Sequence, residues 1–485
     1  MSGTKLVKNT GFYLIATYFP YLVSFITLPL YTRFLSKEDY AVLALAQSFI
    51  AFLPLLMTLQ LHSSIYRFFI DFKDKDLKVF ITTIFIFLTF TSTCASFVLF
   101  QFLPDILNKV FPNIKDEHFT IFYISTVIAV LNIYQGLNMA VIRMREEAKK
   151  FMFISLFLLI FSVLTTIVEV VILEKGIYGM IEAMLIASIA SFLVYTFINK
   201  SYFTFAFKLK YIKAPLLFSL PLIVNSLSSY VFMYSDRIIL EKYVPVYLTL
   251  GTIGLYALAD KIAFLFKAFV NQVLSAFQPH FFKQFKVDES KAKQECYKAS
   301  EVVFLIITIG ITVAALFSKE IVEIIFTKNY HGVWPMIPLL STCFFFRALY
   351  SFSNLGIVYR KKTIYTTITT FISAFVNVIL NLLLIPHFGV YGAVYATMAS
   401  FFTSFIIIRI LSKKIEPIPI NIKFTITCMV LIFSSILGVW LLHNWLDHLL
   451  KICLVKIGFL GLVLFTIYKT EIVTKQQVLT VFKKR

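Results

Sequence analysis

Between Thr252 and His280 the chain sets Asp260, Lys267, Asn271 and Gln278 among apolar neighbours. At 100° per helical residue these side chains lie within about 20° of a common line, so they make one polar stripe on an otherwise apolar helix. An ionised group facing hydrocarbon is costly, so such a stripe should face a cavity or lock onto neighbouring helices. A carboxylate, an ammonium and two amides in line can hold an anion, exchange a cation or tie helices together. Lys261 falls about 100° from Asp260, where it can snorkel or pair across helices. Arg347 is a further cation inside an apolar run, with Ser351 and Asn354 one and two turns later on the same side. A guanidinium at that place can bond a phosphate bidentately or tie down a buried carboxylate. Arg33 and Arg237 close two other apolar runs, where packing, headgroup contact or lining a cavity mouth are the available roles. Glu169 and Glu182 stand near the ends of two more, suited to carrying coupling protons or to structural pairing. Lys456 lies near the end of a run and is expected to snorkel.

The elements that position these residues are membrane helices. Of 485 residues 59% are hydrophobic and only 14% charged, and mean hydropathy is +0.85. A soluble chain sits nearer half apolar and a quarter charged. Phe occurs 55 times, more apolar surface than a soluble core can hide. A spanning helix needs about 20 mostly apolar residues. That length predicts fourteen, at 11–32, 40–61, 79–103, 119–141, 151–173, 177–198, 214–234, 252–276, 301–317, 333–356, 363–386, 389–408, 424–442 and 452–468. The segment before the first is short and polar. The apolar run after it is too long for a signal-peptide core and belongs to the bundle. With a rise of about 1.5 Å per residue, Asp260 and Lys267 lie about 12 Å and 22 Å along their helix, both within a hydrocarbon core about 30 Å thick.

Lys and Arg excess on cytoplasmic loops sets orientation. With the N-terminus inside, 31 of the 45 Lys and Arg fall on inner segments, 10 on outer loops and four within spans. Both ends are therefore expected on the cytoplasmic side. The net charge of +20 is this topology signal, not a nucleic-acid surface. The longest loops expected, 235–251 outside and 277–300 inside, are too short for a folded domain. No Walker A loop, His-Glu-x-x-His motif or Gly-x-Ser-x-Gly elbow occurs, so neither ATP binding nor these hydrolytic chemistries are indicated. The cysteines Cys94, Cys296, Cys343, Cys428 and Cys453 show neither metal nor redox spacing. Pro20, Pro29, Pro54 and Pro221 interrupt spans and should kink them, whether as fixed bends or moving ones.

Two halves of the chain echo one another. Thr32 to Leu35 (TRFL) matches Asp236 to Ile239 (DRII), and Asn138 to Arg145 matches Asn354 to Lys362. Gly176 to Gly179 (GIYG) matches Gly389 to Gly392 (GVYG), and the offsets are 204, 216 and 213 residues. Six helices separate each pair, so the halves insert in the same sense, as parallel repeats suited to alternating access. The expected architecture is an all-α polytopic membrane protein of two six-helix pseudo-symmetric lobes, 1–213 and 214–410. Residues 411–485 then hold two accessory helices and a cytoplasmic tail.

Several segments carry a family resemblance. They are Leu28 to Tyr40 (LPLYTRFLSKEDY), Ile65 to Phe69 (IYRFF), Asp236-Arg237 followed by Gly254 to Ala259 (GLYALA), and Ile385 to Ala393 (IPHFGVYGA). Their order over residues 1–410 resembles the flippases for lipid-linked oligosaccharides of the O-antigen and capsule type. These form the polysaccharide branch of the multidrug/oligosaccharidyl-lipid/polysaccharide exporter superfamily. The resemblance implies a bacterial inner-membrane transporter, not an enzyme. It implies translocation of an undecaprenyl-pyrophosphate-linked repeat unit from the inner to the outer leaflet, with a cationic central cavity for the pyrophosphate. The residues that can supply that charge and its polar company are Lys261, Lys267, Arg347, Arg33 and Asn271. Asp260, Glu169 and Glu182 are left for ion coupling or structural pairing. No cofactor is implied beyond a coupling proton or sodium ion. The implied partners are the lipid-linked oligosaccharide, membrane lipids and polysaccharide polymerase or assembly proteins. Drug exporters and lipid II flippases of the same superfamily are the alternatives, with a membrane polysaccharide polymerase further off. Cationic drugs favour cavities rich in carboxylates, whereas here Lys261, Lys267 and Arg347 stand against Asp260.

Overall fold

A computed structural model describes residues 3–244 and 249–445, together with Lys456, Gly458 and Gly461. These residues are helical throughout, with short connections. In chain order the helices are α1 (Gly3–Phe34), α2 (Lys37–Thr58), α3 (Leu61–Phe68), α4 (Asp74–Val110), α5 (Phe119–Met144), α6 (Ala148–Thr166) and α7 (Gly176–Ile198). Then follow α8 (Lys210–Lys242), α9 (Leu250–Val287), α10 (Glu289–Ile325), α11 (Met336–Tyr359), α12 (Ile364–Phe388), α13 (Val390–Ile415) and α14 (Ile422–Trp445). A π-helical turn, Ile167–Ile172, continues α6. Helices satisfy their own backbone groups, which is what permits them to cross a bilayer.

Among the described residues twelve helices are long and apolar enough to cross a membrane. They include α14 and leave out α9, whose 38 residues suffice in length but carry Asp260, Lys261 and Lys267. The polarity that marks α9 as a site is what removes it from that set. The fourteenth helix expected, 452–468, lies outside the described residues apart from Lys456, Gly458 and Gly461.

Two expectations are corrected. The inner stretch 277–300 is no loop: α9 runs to Val287 and α10 starts at Glu289, leaving Asp288 alone between them. Asp288 accepts from the Lys291 N–H at 2.9 Å and caps α10. The Glu289–Lys293 pair, 2.7 Å at i,i+4, supports the first turns of α10. Hydropathy detects only the part of a helix that lies in lipid, so the polar extensions went unseen. Lys456 does not snorkel either. It is wholly buried, and its Nζ donates to Glu320 Oε1 on α10 at 2.5 Å.

By packing, the chain forms two compact units: unit 1 is residues 1–257 with 378–390, and unit 2 is residues 258–377 with 391–485. In unit 1, α5 packs on α2 and α7, and α1 on α6. Asn138 of α5 and Asn199 after α7 are buried against each other, Asn199 Nδ2 donating to Asn138 Oδ1 at 2.9 Å. Arg145 completes this knot, donating to Asn199 Oδ1 at 3.3 Å and to Glu147 at 2.5 Å.

Unit 2 has a core of aromatic rings. Phe281 of α9, Phe304 of α10 and Phe345 and Phe352 of α11 are buried together, with Phe424 and Ile432 of α14. Where α10 begins and α11 and α13 end, Glu416 is buried and takes Lys293 at 2.7 Å and Arg360 at 2.6 Å. Burial works against the Glu416 charge, but the two cations outweigh it and hold the carboxyl below its ordinary range. The bond to Glu416 raises Arg360 in turn. The echoing segments Asn138 to Arg145 and Asn354 to Lys362 thus each carry, near their ends, an arginine paired with a glutamate. Their glycine turns agree as well: Gly176 and Gly389 have φ of 56° and 57°, a backbone that side chains rarely adopt.

Candidate functional site

Most polar side chains within the helices satisfy themselves. Thr83 Oγ1 donates to Val79 O at 2.6 Å, Ser341 Oγ to Ile337 O at 2.7 Å and Ser373 Oγ to Thr369 O at 2.8 Å. Such hydroxyls need no ligand. Lys and Arg have no acceptor on the preceding turn and must look elsewhere.

Lys267 of α9 and Arg347 of α11 are two cations of unit 2 that act on each other electrostatically. On α9, Phe266, Phe269, Val270, Val273 and Phe277 pack into the aromatic core. Lys267 and Asn271 therefore project along the flank of that face, and both are half-buried. On α11 the residues around Arg347 are buried, Phe345, Phe346, Ala348 and Leu349 among them, while Arg347 itself keeps partial exposure. Phe264 of α9 and Phe344 of α11 meet edge to face with centroids 6.4 Å apart, which joins the two helices at the level of the cations. The Lys267 ammonium lies 4.4 Å from the Phe264 ring, and the Arg347 guanidinium 4.9 Å from the Tyr350 ring. Arg347 repels the Lys267 ammonium and Asp260 attracts it.

Arg347 makes no ion pair among the described residues, and its Nε is buried without a hydrogen-bond partner there. Tyr350, buried beneath it, fixes the ring under the guanidinium. Further along α11, Asn354 Oδ1 accepts from Thr366 of α12 at 3.0 Å. Two like charges side by side in a region of low dielectric repel strongly. A doubly charged anion turns that repulsion into attraction. Guanidinium and ammonium are also the donors that phosphate oxygens accept best.

Lys261 is half-buried on α9, off the stripe that Asp260 shares with Lys267. Arg33 is exposed in the last turn of α1, whereas Arg237, its echo, is buried with its guanidinium 5.4 Å from the Tyr234 ring. Beside it, buried Asp236 accepts from the Tyr256 hydroxyl. Glu169 and Glu182 are brought together by Lys175, whose Nζ lies 2.6 Å from one and 2.5 Å from the other. Those bonds raise the Lys175 ammonium above its ordinary value.

Three carboxylates have partners that sequence reasoning missed. Glu241 is wholly buried at the end of α8 and accepts the Asn113 N–H at 2.7 Å. Glu301 of α10 accepts from Asn421 at 2.6 Å, and Glu320 holds Lys456. Their partners are 120 to 136 residues away, and nothing local signals such pairs. Unit 2 also contains an apolar cavity of about 680 Å³ lined by Trp334, Tyr391, Tyr395, Phe433 and Trp440. None of the charged candidates lines it. No group of three His, Cys, Asp or Glu able to hold a metal ion occurs among the described residues.

The fold has relatives of known structure. It is similar to a lipid II flippase, MurJ, in an inward closed conformation, with TM-score 0.74, 15% identity and coverage of 95% of this chain and 99% of that one. It is also similar to a multidrug resistance MATE family transporter in an inward-facing conformation, with TM-score 0.67, 12% identity and coverage of 84% and 95%. At such identities these likenesses speak for the fold. In sequence, the chain is 22% identical over 338 residues to a protein of the Lsg locus of Haemophilus influenzae, covering 68% of this chain and 78% of that protein. It is 20% identical over 347 residues to an uncharacterized membrane protein of the same organism, covering 70% and 80%. Residues 30–335 match the family described as polysaccharide biosynthesis protein, which is more than half of the chain, and the chain belongs to that family.

Proposed function

We propose that this protein carries a polyprenyl-pyrophosphate-linked oligosaccharide from the inner to the outer leaflet of a bacterial cytoplasmic membrane, and that Lys267 and Arg347 receive the pyrophosphate. The observation that carries the reading is the pairing of two cations on α9 and α11 at membrane depth, one of them with a buried nitrogen lacking a partner. Family membership supplies the polysaccharide context. The Lys and Arg distribution supports an orientation with both ends in the cytoplasm. Asn271 and Lys261, on the same helix as Lys267, extend the polar path for the glycan. Asp260, on the stripe with Lys267, is the carboxylate suited to exchanging a coupling proton or sodium ion as the substrate binds and leaves. The delivered repeat unit would pass to a polysaccharide polymerase.

A lipid II carrier is the second reading, favoured by a likeness to the lipid II flippase over nearly the whole of both chains. Lipid II also presents a pyrophosphate, so the same two cations serve and only the sugar contacts differ. Export of cationic drugs fits poorly, because a cationic ligand would add a third like charge. The test is flipping of fluorescent polyprenyl-pyrophosphate oligosaccharides in proteoliposomes, alongside the lipid-linked intermediates of cells lacking the protein. Flipping in vitro with intermediates stranded on the inner leaflet supports the proposal. Normal surface glycan after deletion, with no flipping in vitro, contradicts it.

A further inference from the structure

The connection from α7 to α8, residues 199–209, lies on unit 1 as a strap across the first turns of α4. Its backbone is pinned at two points: the Thr204 N–H donates to Thr82 Oγ1 at 3.0 Å and the Lys208 N–H to Thr83 Oγ1 at 3.2 Å. Two rings hold its ends. Phe203 packs edge to face on Phe85 with centroids 4.9 Å apart, and the Tyr211 hydroxyl donates to Asp76 at 2.7 Å. Along the strap from 205 to 209 the large apolar side chains turn outward. Phe205 is fully exposed, Leu209 is 70% exposed and Phe207 46% exposed. Water would penalise three large apolar groups displayed on a fixed backbone, and the strap spends hydrogen bonds on keeping them there.

Lysines accompany them. Lys208, Lys210 and Lys213 are exposed, and the strap brings them beside Lys73, Lys75 and Lys78 at the start of α4, also exposed. The nearby carboxylates are fewer and partly engaged, Asp71 with Arg67 and Asp76 with Tyr211. Aromatic and aliphatic groups flanked by lysines match a membrane interface, rings at headgroup depth and ammonium groups at the phosphates.

We infer that this strap is a binding surface for anionic phospholipid headgroups in the leaflet where α4 and α8 begin. Phe205, Phe207 and Leu209 enter the headgroup boundary, and the six lysines hold the phosphates. The strap thereby fixes unit 1 at a defined depth in that leaflet. The inference is independent of the transported substrate.

The experiment uses the full chain in nanodiscs of phosphatidylcholine with phosphatidylglycerol as the minor component, and measures the ratio of the two lipids retained on the protein. A lysine at an anionic surface gives about fivefold in affinity. The wild type should therefore enrich phosphatidylglycerol at least about fivefold, and less as salt is raised. The K208Q/K210Q/K213Q variant should lose most of that preference, while K361Q/K362Q, which removes lysines from unit 2, should keep it. Replacing Phe205 and Phe207 by Ser should reduce retention of both lipids. Should the triple variant not assemble, the salt dependence and the K361Q/K362Q control decide on their own. No preference in the wild type, a preference indifferent to salt, or equal losses in the two lysine variants would overturn the inference.

Discussion

The two units use their charges differently. In unit 1 opposite charges meet near helix ends: Lys175 is shared by Glu169 and Glu182, and Arg145 holds Glu147. Unit 2 has pairs of that kind as well, Arg360 and Lys293 on Glu416 and Lys456 on Glu320. Unit 2 also sets two cations that repel each other within its helices, Lys267 and Arg347. Opposite charges satisfy one another and can be read as architecture. Like charges brought together cost free energy until an anion arrives, which is the mark of a binding surface.

The largest expected effect is at the like-charged pair. Each of K267Q and R347Q removes a charge-assisted contact worth about 1.5–3 kcal/mol, so each should lower flipping at limiting substrate about tenfold to a hundredfold. R347Q should not lower thermal stability, because it relieves the repulsion on Lys267. A large loss of stability in R347Q would move the pair to the architectural class.

Next come the buried opposite pairs. K456M leaves Glu320 partly buried without its cation and should destabilise the protein by about 3 kcal/mol, as breaking buried pairs does. The K456M/E320M double variant should recover much of that loss, which thermal unfolding in detergent would show. E416Q tests the other cluster through pH. A carboxyl held below its ordinary range in the folded state contributes stability above its unfolded pKa and loses it as pH falls through the lower folded value. The wild type should thus lose stability on acidification over the carboxylate range and just below it, and E416Q should flatten part of that slope. An unchanged slope would mean that Glu416 is already satisfied without its cations. The smallest effect is expected for K175Q, since that ammonium is exposed: flipping should change less than about twofold, as suits a surface pair. A stronger effect would place Glu169 and Glu182 in the coupling machinery.

Much of this contrast could be read from sequence. The stripe on α9 was visible because charged residues recur there at helical spacing, and Arg347 because nothing else ionisable lies near it in its run. The glycine turns at Gly176 and Gly389 were visible as repeated motifs. What stayed hidden was the class of contacts whose partners lie far apart in the chain. Lys456 reads as a residue near a helix end until Glu320, 136 residues earlier, is placed beside it. Glu241 gave no warning of Asn113, and the strap at 199–209 looked like a loop of topology-setting lysines. The α9–α10 hairpin was hidden for another reason, since a hydropathy pattern ends where lipid ends and the helices continue.

The most direct measurement is the affinity of the purified protein for a polyprenyl-pyrophosphate oligosaccharide against its monophosphate counterpart, in wild type and in K267Q/R347Q. The account predicts at least about tenfold preference for the pyrophosphate in the wild type, as one lost charge-assisted bond implies, and none in the double variant. Equal affinity for the two lipids in the wild type, or a preference surviving in K267Q/R347Q, would contradict it.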